Sequence, residues 1–338
     1  MIRPMFRKLL FALIKLLVAF AAVFWLQKKV DVHNVVRVLR EADPVFVCGA
    51  FLISIMNLLN GGFRWNRLLD ALRIPIPMGT LTCIAQIGQF FAVFLPGTAG
   101  DDVTRFVYIA RLAPGRVREA CATVLLDRVI GLSCLFTLAL FCIPSNWSLL
   151  QGQASTRWIA TGFSAVGGAV FLAGIFFFSL NAATLKRLVD VFESPLKRFK
   201  IAAELAELAR TFAENRGTLA VVTVAALLTQ SMICIVFYFA ARAVGIELPL
   251  LSWMSFVPVI VASGALPLTF AGIGVREYLL LLFVGGTAAG VDQERILAAS
   301  ILILAIAVAM ALIGGVVYLV YRPAAKVAVD ATKEACSL

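Results

Sequence analysis

The stretch GQFFAVFLPGTAGDDVTRF, residues 88–106, decides how this chain folds. Its first half is apolar enough for bilayer hydrocarbon. Pro96 removes a helical donor there, and Gly97 and Gly100 permit backbone directions that other residues resist. Amides freed by such a break inside a membrane must face protein or a hydrated cavity. Asp101, Asp102 and Arg105 follow at once, and Asp102 and Arg105 stand one helical turn apart, close enough to pair. Charges beside a broken apolar helix point to a path for a polar ligand, with a headgroup-level loop held by a salt bridge as the alternative. The segment is expected to enter the bilayer, break and return.

The rest of the chain fits that setting. Of 338 residues, 62% are hydrophobic and 14% charged, whereas a soluble domain carries about 25% charged residues. An ordinary globular enzyme is excluded. At roughly 20 residues per crossing, the expected fold is an all-α polytopic membrane protein. It has about eight full spans plus two broken or re-entrant helix pairs. The 30 basic residues against 19 acidic ones give a formal charge of +11. That excess belongs outside the bilayer, where it sets orientation and meets anionic headgroups, so no nucleic-acid partner is expected. The seven cysteines form no CxxC pair and read as free thiols, and His33 is the only histidine. Neither a His-rich zinc site nor a Ser-His triad can be built within the chain, and no metal, cofactor or catalytic residue is assigned.

Apolar stretches fall near 9–26, 44–60, 78–95, 120–143, 158–180, 217–244, 250–268, 273–286 and 296–321, with 78–95 and 273–286 short or interrupted. The opening lacks a clean cleavage pattern and reads as an uncleaved first span. Residues 1–321 are expected to form one integral membrane domain, with halves at about 1–170 and 171–321, and 322–338 to form a short cytoplasmic tail. Between the halves, 181–216 is an amphipathic connector at helical spacing. Arg3, Arg7 and Lys8, then Arg64, Arg67 and Arg73, then Arg111, Arg116 and Arg118 all favour the cytoplasmic side. Both termini are therefore expected in the cytoplasm, with 78–110 entering and returning from that face and 250–290 from the opposite one.

The second return segment is ALPLTFAGIGVREYLLLL, residues 265–282, with Pro267, Gly272, Gly274, Arg276 and Glu277. Proline precedes arginine by nine residues in both motifs, and Pro96 and Pro267 are 171 residues apart, close to half the chain. With the opposed entry faces, this leads to the expectation of an inverted internal repeat whose broken helices meet near the midplane. Free amides at the helix starts would favour an anion, and Arg105 and Arg276 are the best phosphate partners. Asp102 and Glu277 either hold those arginines or contact a cationic headgroup, and Glu277 has Arg276 beside it as a structural partner.

Asp127 and Arg128, inside CATVLLDRVIGLSCLF, must turn inward or toward an interface, either in mutual or interhelical structural pairing or as part of the polar path. Arg64, Trp65 and Arg67 read as an interfacial anchor, with Trp at headgroup depth and Arg reaching phosphates. Gln86 and Gln89 precede the first break closely enough to satisfy its carbonyls or line the cavity.

At FLPGTAGDDVTR (94–105), VLLDRVIG (124–131) and LPLTFAGIGVRE (266–277), the chain resembles the lysylphosphatidylglycerol synthase transmembrane region family, a flippase-like membrane domain. The likeness runs through most of 9–321. That family has two glycines before the first-motif acid, so Asp102 takes the acid's place and Asp101 is a departure. Asp127 stands where an acid, commonly glutamate, precedes Arg128. The resemblance implies movement of aminoacylated phospholipids between leaflets, or handling of other lipid or polyprenyl-linked substrates. In bifunctional relatives, aminoacyl transfer belongs to an appended soluble domain, which the 17 residues after 321 are not expected to hold.

The leading functional expectation is a lipid transporter or flippase for a phospholipid or other lipid-phosphate headgroup in a cell membrane, bacterial inner membrane by resemblance. Its partners would be membrane lipids and a separately encoded lipid-modifying enzyme. The chain has no GxxxxGK[ST] run, so nucleotide coupling would need a partner. Two alternatives remain: a membrane-embedded lipid-phosphate transferase with Asp101 or Asp102 as acid-base or metal ligand, and a nonenzymatic accessory of envelope-lipid synthesis.

Overall fold

The computed structural model describes residues 32–94, 99–147, 154–179, 215–265, 274–287 and 291–321. The span expected at 9–26, the break residues Pro96, Gly97, Pro267 and Gly272, nearly all of the connector 181–216 and the tail 322–338 lie outside them. The described residues form ten α-helices and one 3-10 turn, with no strand. In order these are α1 (Val32–Arg40), α2 (Pro44–Ala71), α3 (Met78–Phe94), α4 (Ala99–Leu112), α5 (Val117–Cys142) and the turn Pro144–Asn146. They continue with α6 (Ala154–Ser179), α7 (Arg216–Ala243), α8 (Leu250–Ala265), α9 (Val275–Thr287) and α10 (Gln293–Val320).

Local chemistry sets the ends of α2. Asp43 accepts a hydrogen bond from Val45 N at 2.8 Å, and Pro44 occupies the first turn, where a missing N–H is harmless. At the other end, Arg73 adopts φ 55° while Arg73 N and Ile74 N donate to Asp70 O and Leu69 O. This is a Schellman cap, and α7 ends the same way: Gly245 has φ 78°, and Gly245 N and Ile246 N donate to Arg242 O and Ala241 O. Each cap leads through a proline, Pro77 or Pro249, into the next helix, where Thr80 N or Ser252 N closes onto that proline's carbonyl.

Five helices are long and apolar enough to cross a membrane: α2, α5, α6 over Thr156–Phe176, α7 and α10. A helix of 28 residues such as α2 spans about 42 Å, beyond the roughly 30 Å of hydrocarbon. The 17, 14, 16 and 13 residues of α3, α4, α8 and α9 fall short. Among the described residues five helices are thus long enough for full spans, and the span expected at 9–26 lies outside them. The apolar stretches at 78–95, 250–268 and 273–286 become arms of two helical hairpins.

Both hairpins return to the end at which they entered. After α3 and α4, Arg116 Nη1 donates to Leu72 O at 2.6 Å, joining the start of α5 to the end of α2. After α8 and α9, Arg295 Nη1 donates to Gly245 O at 3.1 Å, joining the start of α10 to the end of α7. Helices α2 and α7 run antiparallel. Asp43 N meets Ala243 O at 2.9 Å, Gly49 faces the Phe239 ring, and Asn60 Nδ2 meets Ala225 O at 2.7 Å. The two hairpins therefore start from opposite ends of the bundle.

Each hairpin also packs against a long helix of the other half. Helix α8 holds the end of α5: Ser252 Oγ donates to Asn146 Oδ1 at 3.0 Å, and Asn146 Nδ2 donates to Ser255 Oγ at 2.9 Å. Helix α3 holds the end of α10, with Thr80 Oγ1 and Tyr321 OH 3.0 Å apart and Gly314 and Gly315 admitting Gln86 and Phe90. The buried apolar residues form two clusters, one around Trp65 and Leu69 and one around Trp253 and the stacked Phe256–Phe283 pair. Helix α6 lies outside, against α5, with Trp158, Leu172 and Phe176 exposed as a lipid-facing helix requires.

Candidate functional site

The first hairpin places six charged side chains together. Asp101, Asp102 and Arg105 lie in the first turns of α4, Asp127 and Arg128 on α5, and Arg64 on α2. The innermost contact is bidentate: Arg64 Nε and Nη2 donate to Asp127 Oδ1 and Oδ2 at 2.5 and 2.9 Å. Arg105 lies outward of it, donating through Nε to Asp101 Oδ1 at 2.9 Å and holding Nη1 3.6 Å from Asp127 Oδ2. Outermost is Arg128, which donates to Asp102 Oδ1 at 2.7 Å and Asp101 Oδ2 at 3.0 Å. Side-chain exposure rises from 4% at Asp127 to 37% at Arg128, so burial is graded across the network from core to surface. Three guanidinium and three carboxylate groups make it formally neutral.

The local sequence explains this convergence. Gly88 on α3 has no side chain where one would overlap the Asp101 carboxylate, and Gly100 lets α4 close onto the backbone of Phe91 and Ala92. Close backbone packing is kept here despite Asp101, because the facing residue is glycine. Trp65, fully buried, donates through Nε1 to Thr123 Oγ1 at 3.0 Å and presents its ring 5.4 Å from the Arg105 guanidinium carbon. That cation–π contact and the carboxylates hold Arg105 at a fixed depth.

The second hairpin carries a smaller cluster. Arg276 Nη2 donates to Glu277 Oε1 at 2.7 Å, Ser300 Oγ on α10 donates to the same oxygen at 2.7 Å, and Arg276 Nε reaches Ser300 Oγ at 3.1 Å. Glu277 Oε2 accepts from Gly274 N at 2.5 Å, and Gly274 has φ 93°. Glu277 thus closes the backbone half of a capping box on α9, at a position that favours glycine.

Several expected contacts differ. Arg105 pairs with Asp101, not Asp102, because Asp102 points across to Arg128 on α5. Of the two structural options for Asp127 and Arg128 the interhelical one is found, since successive helical residues face different directions. Arg64 is buried against Asp127 rather than anchored at headgroup depth, and Trp65 is likewise in the core. Gln86 is buried, with Nε2 donating to Met310 O and Oε1 unpartnered; Gln89 is half-buried and takes no part in either cluster's hydrogen bonds. Among the described residues, no three His, Cys, Asp or Glu side chains group as a metal site.

The sequence reading also missed a polar seam between α2 and α7. Asn60 Nδ2 and Arg64 Nη1 both donate to Thr229 Oγ1, at 2.9 and 3.2 Å, and Asn57 Oδ1 is buried there on α2 without a partner. Asn57, Asn60 and Arg64 recur at three- and four-residue spacing on one face of an apolar helix, which is the signal that would have found them.

A family model described as "Lysylphosphatidylglycerol synthase TM region" matches residues 12–315. Two curated proteins are similar to the chain. One is the "Glycosyltransferase AglD" of Haloferax volcanii, 26% identical across 93% of this chain and 55% of that protein. The other is the "UPF0104 membrane protein MJ1595" of Methanocaldococcus jannaschii, 22% identical across 50% of this chain and 47% of that protein. The chain spans about half the length of these relatives.

Proposed function

The chain belongs to the lysylphosphatidylglycerol synthase TM region family, and from that premise we propose that it is a lipid transporter of the flippase kind. It moves a phospholipid or other lipid-phosphate headgroup between leaflets. The observation that carries this reading is the graded Arg–Asp network, which leads from a half-exposed guanidinium to a buried one inside a bundle of membrane-crossing helices. Charges at that depth are costly and mark paths for polar cargo. A phosphate replaces carboxylates first at Arg128 and then at Arg105, where paired N–H donors match its oxygens. Arg64 stays locked to Asp127 as a fixed anchor. Asp101 and Asp102, released in turn, offer sites to an ammonium group on the same headgroup.

The two halves form an inverted repeat in this reading. Support comes from matched features 172 residues apart: the caps at Arg73 and Gly245, the prolines Pro77 and Pro249, and the hairpin-entry residues Thr80 and Ser252. The antiparallel pairing of α2 and α7 supplies the inversion. The end carrying Arg67, Arg73, Arg111, Arg116, Arg118 and Arg216 against Asp70 and Glu119 faces the cytoplasm of a cell membrane. The relative named as a glycosyltransferase widens the cargo class to lipid-linked sugars and polyprenyl phosphates, and a separately encoded enzyme is the natural supplier of the modified lipid.

The test is a reconstitution assay. Purified chain in vesicles carrying a labelled phospholipid or a labelled polyprenyl phosphate is expected to move one of them between leaflets faster than empty vesicles do. Chemical conversion of the lipid without movement would favour the transferase instead, and copurification with an envelope enzyme without movement would favour the accessory role.

A further inference from the structure

The α5–α7 seam and the α2–α10 seam are counterparts under the repeat, yet one is closed and the other open. At the closed seam, Gln230 Nε2 donates to Gly131 O at 2.9 Å and Cys134 Sγ reaches Thr223 O at 3.5 Å. At the open seam, α2 and α10 part around a groove of about 590 Å³ lined by Val47, Cys48, Phe51, Leu52, Ile306 and Ala309, with Ile55, Leu302 and Ala305 completing it. The groove lies beyond the inner end of α3. That helix fills the α2–α10 space, with Gly62 facing Thr82 on one side and Gly314 facing Gln86 on the other, and Asn66 holds Ile76 O just before it. The two walls then continue without it.

We propose that this groove is a binding site for one hydrocarbon chain of a membrane lipid. Both walls belong to helices long and apolar enough to cross the bilayer, and the lining is hydrocarbon and one thiol, so no polar group selects a headgroup or a peptide backbone. Its size falls in the range of small-ligand pockets, about 300–1,000 Å³. The closed counterpart argues that α2 and α10 are held apart for an occupant. Where the same scaffold has none, side chains meet and hydrogen-bond. The inference rests on the bilayer placement and the repeat, not on lipid movement, so it stands or fails separately from transport.

The test uses the full chain in vesicles of phosphatidylethanolamine and phosphatidylglycerol containing a phospholipid with a photoreactive diazirine in one acyl chain. After illumination, adducts should be about tenfold denser on residues 47–55 and 302–309 than on the outer face of α6 at Leu172 and Phe176, a preference of about 1.4 kcal/mol. Ala305→Trp with Ala309→Trp, which fills the groove, should remove that excess. In parallel, Cys48 should react faster with a lipid-soluble maleimide after delipidation. Adducts no denser in the groove than on α6, or a Cys48 that stays unreactive in delipidated protein because another protein segment covers it, would overturn the proposal.

Discussion

The two charged clusters occupy corresponding places and are built from different chemistry. Arg105 and Arg276 are 171 residues apart, each early in the returning helix of a hairpin, and each meets a group on the following long helix. For Arg105 that group is Asp127, and for Arg276 it is Ser300, 173 residues further along the chain. Among the described residues, the first cluster gathers six charges from three helices, whereas the second is one ion pair tied to a helix cap. Caps, prolines and hairpins thus recur at matching spacing while the charges do not. If the chain moves lipid as proposed, its transport chemistry lies in the first half, with the second half supplying a matching hairpin.

The largest effect that sharpens this contrast is Asp127→Ala. It leaves Arg64 buried against Thr229 without a carboxylate, and removing one partner of a buried pair costs about 3–5 kcal/mol. Thermal unfolding in detergent should show a fall far greater than for Glu277→Ala. Equal losses would mean that the clusters carry similar weight. Next is Gly100→Val, which drives side-chain atoms into the Phe91 backbone. Overpacking of that kind costs about 1–3 kcal/mol, read by the same unfolding measurement and by loss of transport as the hairpin shifts.

Ser300→Ala removes a hydroxyl that donates to the Glu277 carboxylate and accepts from Arg276. It should cost about 1.5–3 kcal/mol, the worth of hydrogen bonds to charged groups, with transport largely retained. A collapse of activity would promote the second cluster to equal partner. The smallest effect concerns the caps. Arg73 holds φ 55° where the other half has Gly245, and left-handed backbone costs a non-glycine residue about 1–2 kcal/mol. Arg73→Gly should therefore raise stability slightly, and a decrease would show that the Arg73 side chain contributes more than its backbone costs.

Much of this architecture is legible in the sequence because it depends on strong local signals. Pro and Gly beside charges marked the returning segments, and positive charge in the loops marked their ends. Asp101, Asp102, Arg105, Asp127 and Arg128 were all singled out, but their pairing was not. Helical spacing allows Arg105 either aspartate, and the choice was made by Arg128 on another helix. Arg64 was misread for the same reason. An RW pair near a helix end fits a headgroup anchor equally well until Asp127, 63 residues away, is seen to take both guanidinium edges. The short arms α3, α4, α8 and α9 were legible as returning segments, because each apolar stretch there is too short or too interrupted to cross alone.

The central claim is that Arg105 and its carboxylates form the headgroup path. Arg105→Ala suits the test because Asp101 keeps Arg128 and Asp127 keeps Arg64, so no carboxylate in the network is left bare. Leaflet movement of labelled lipid should be measured in vesicles for wild type, Arg105→Ala and Arg276→Ala, each checked for folding. The account predicts that Arg105→Ala abolishes movement while Arg276→Ala slows it less. Wild-type rates in folded Arg105→Ala protein would contradict it.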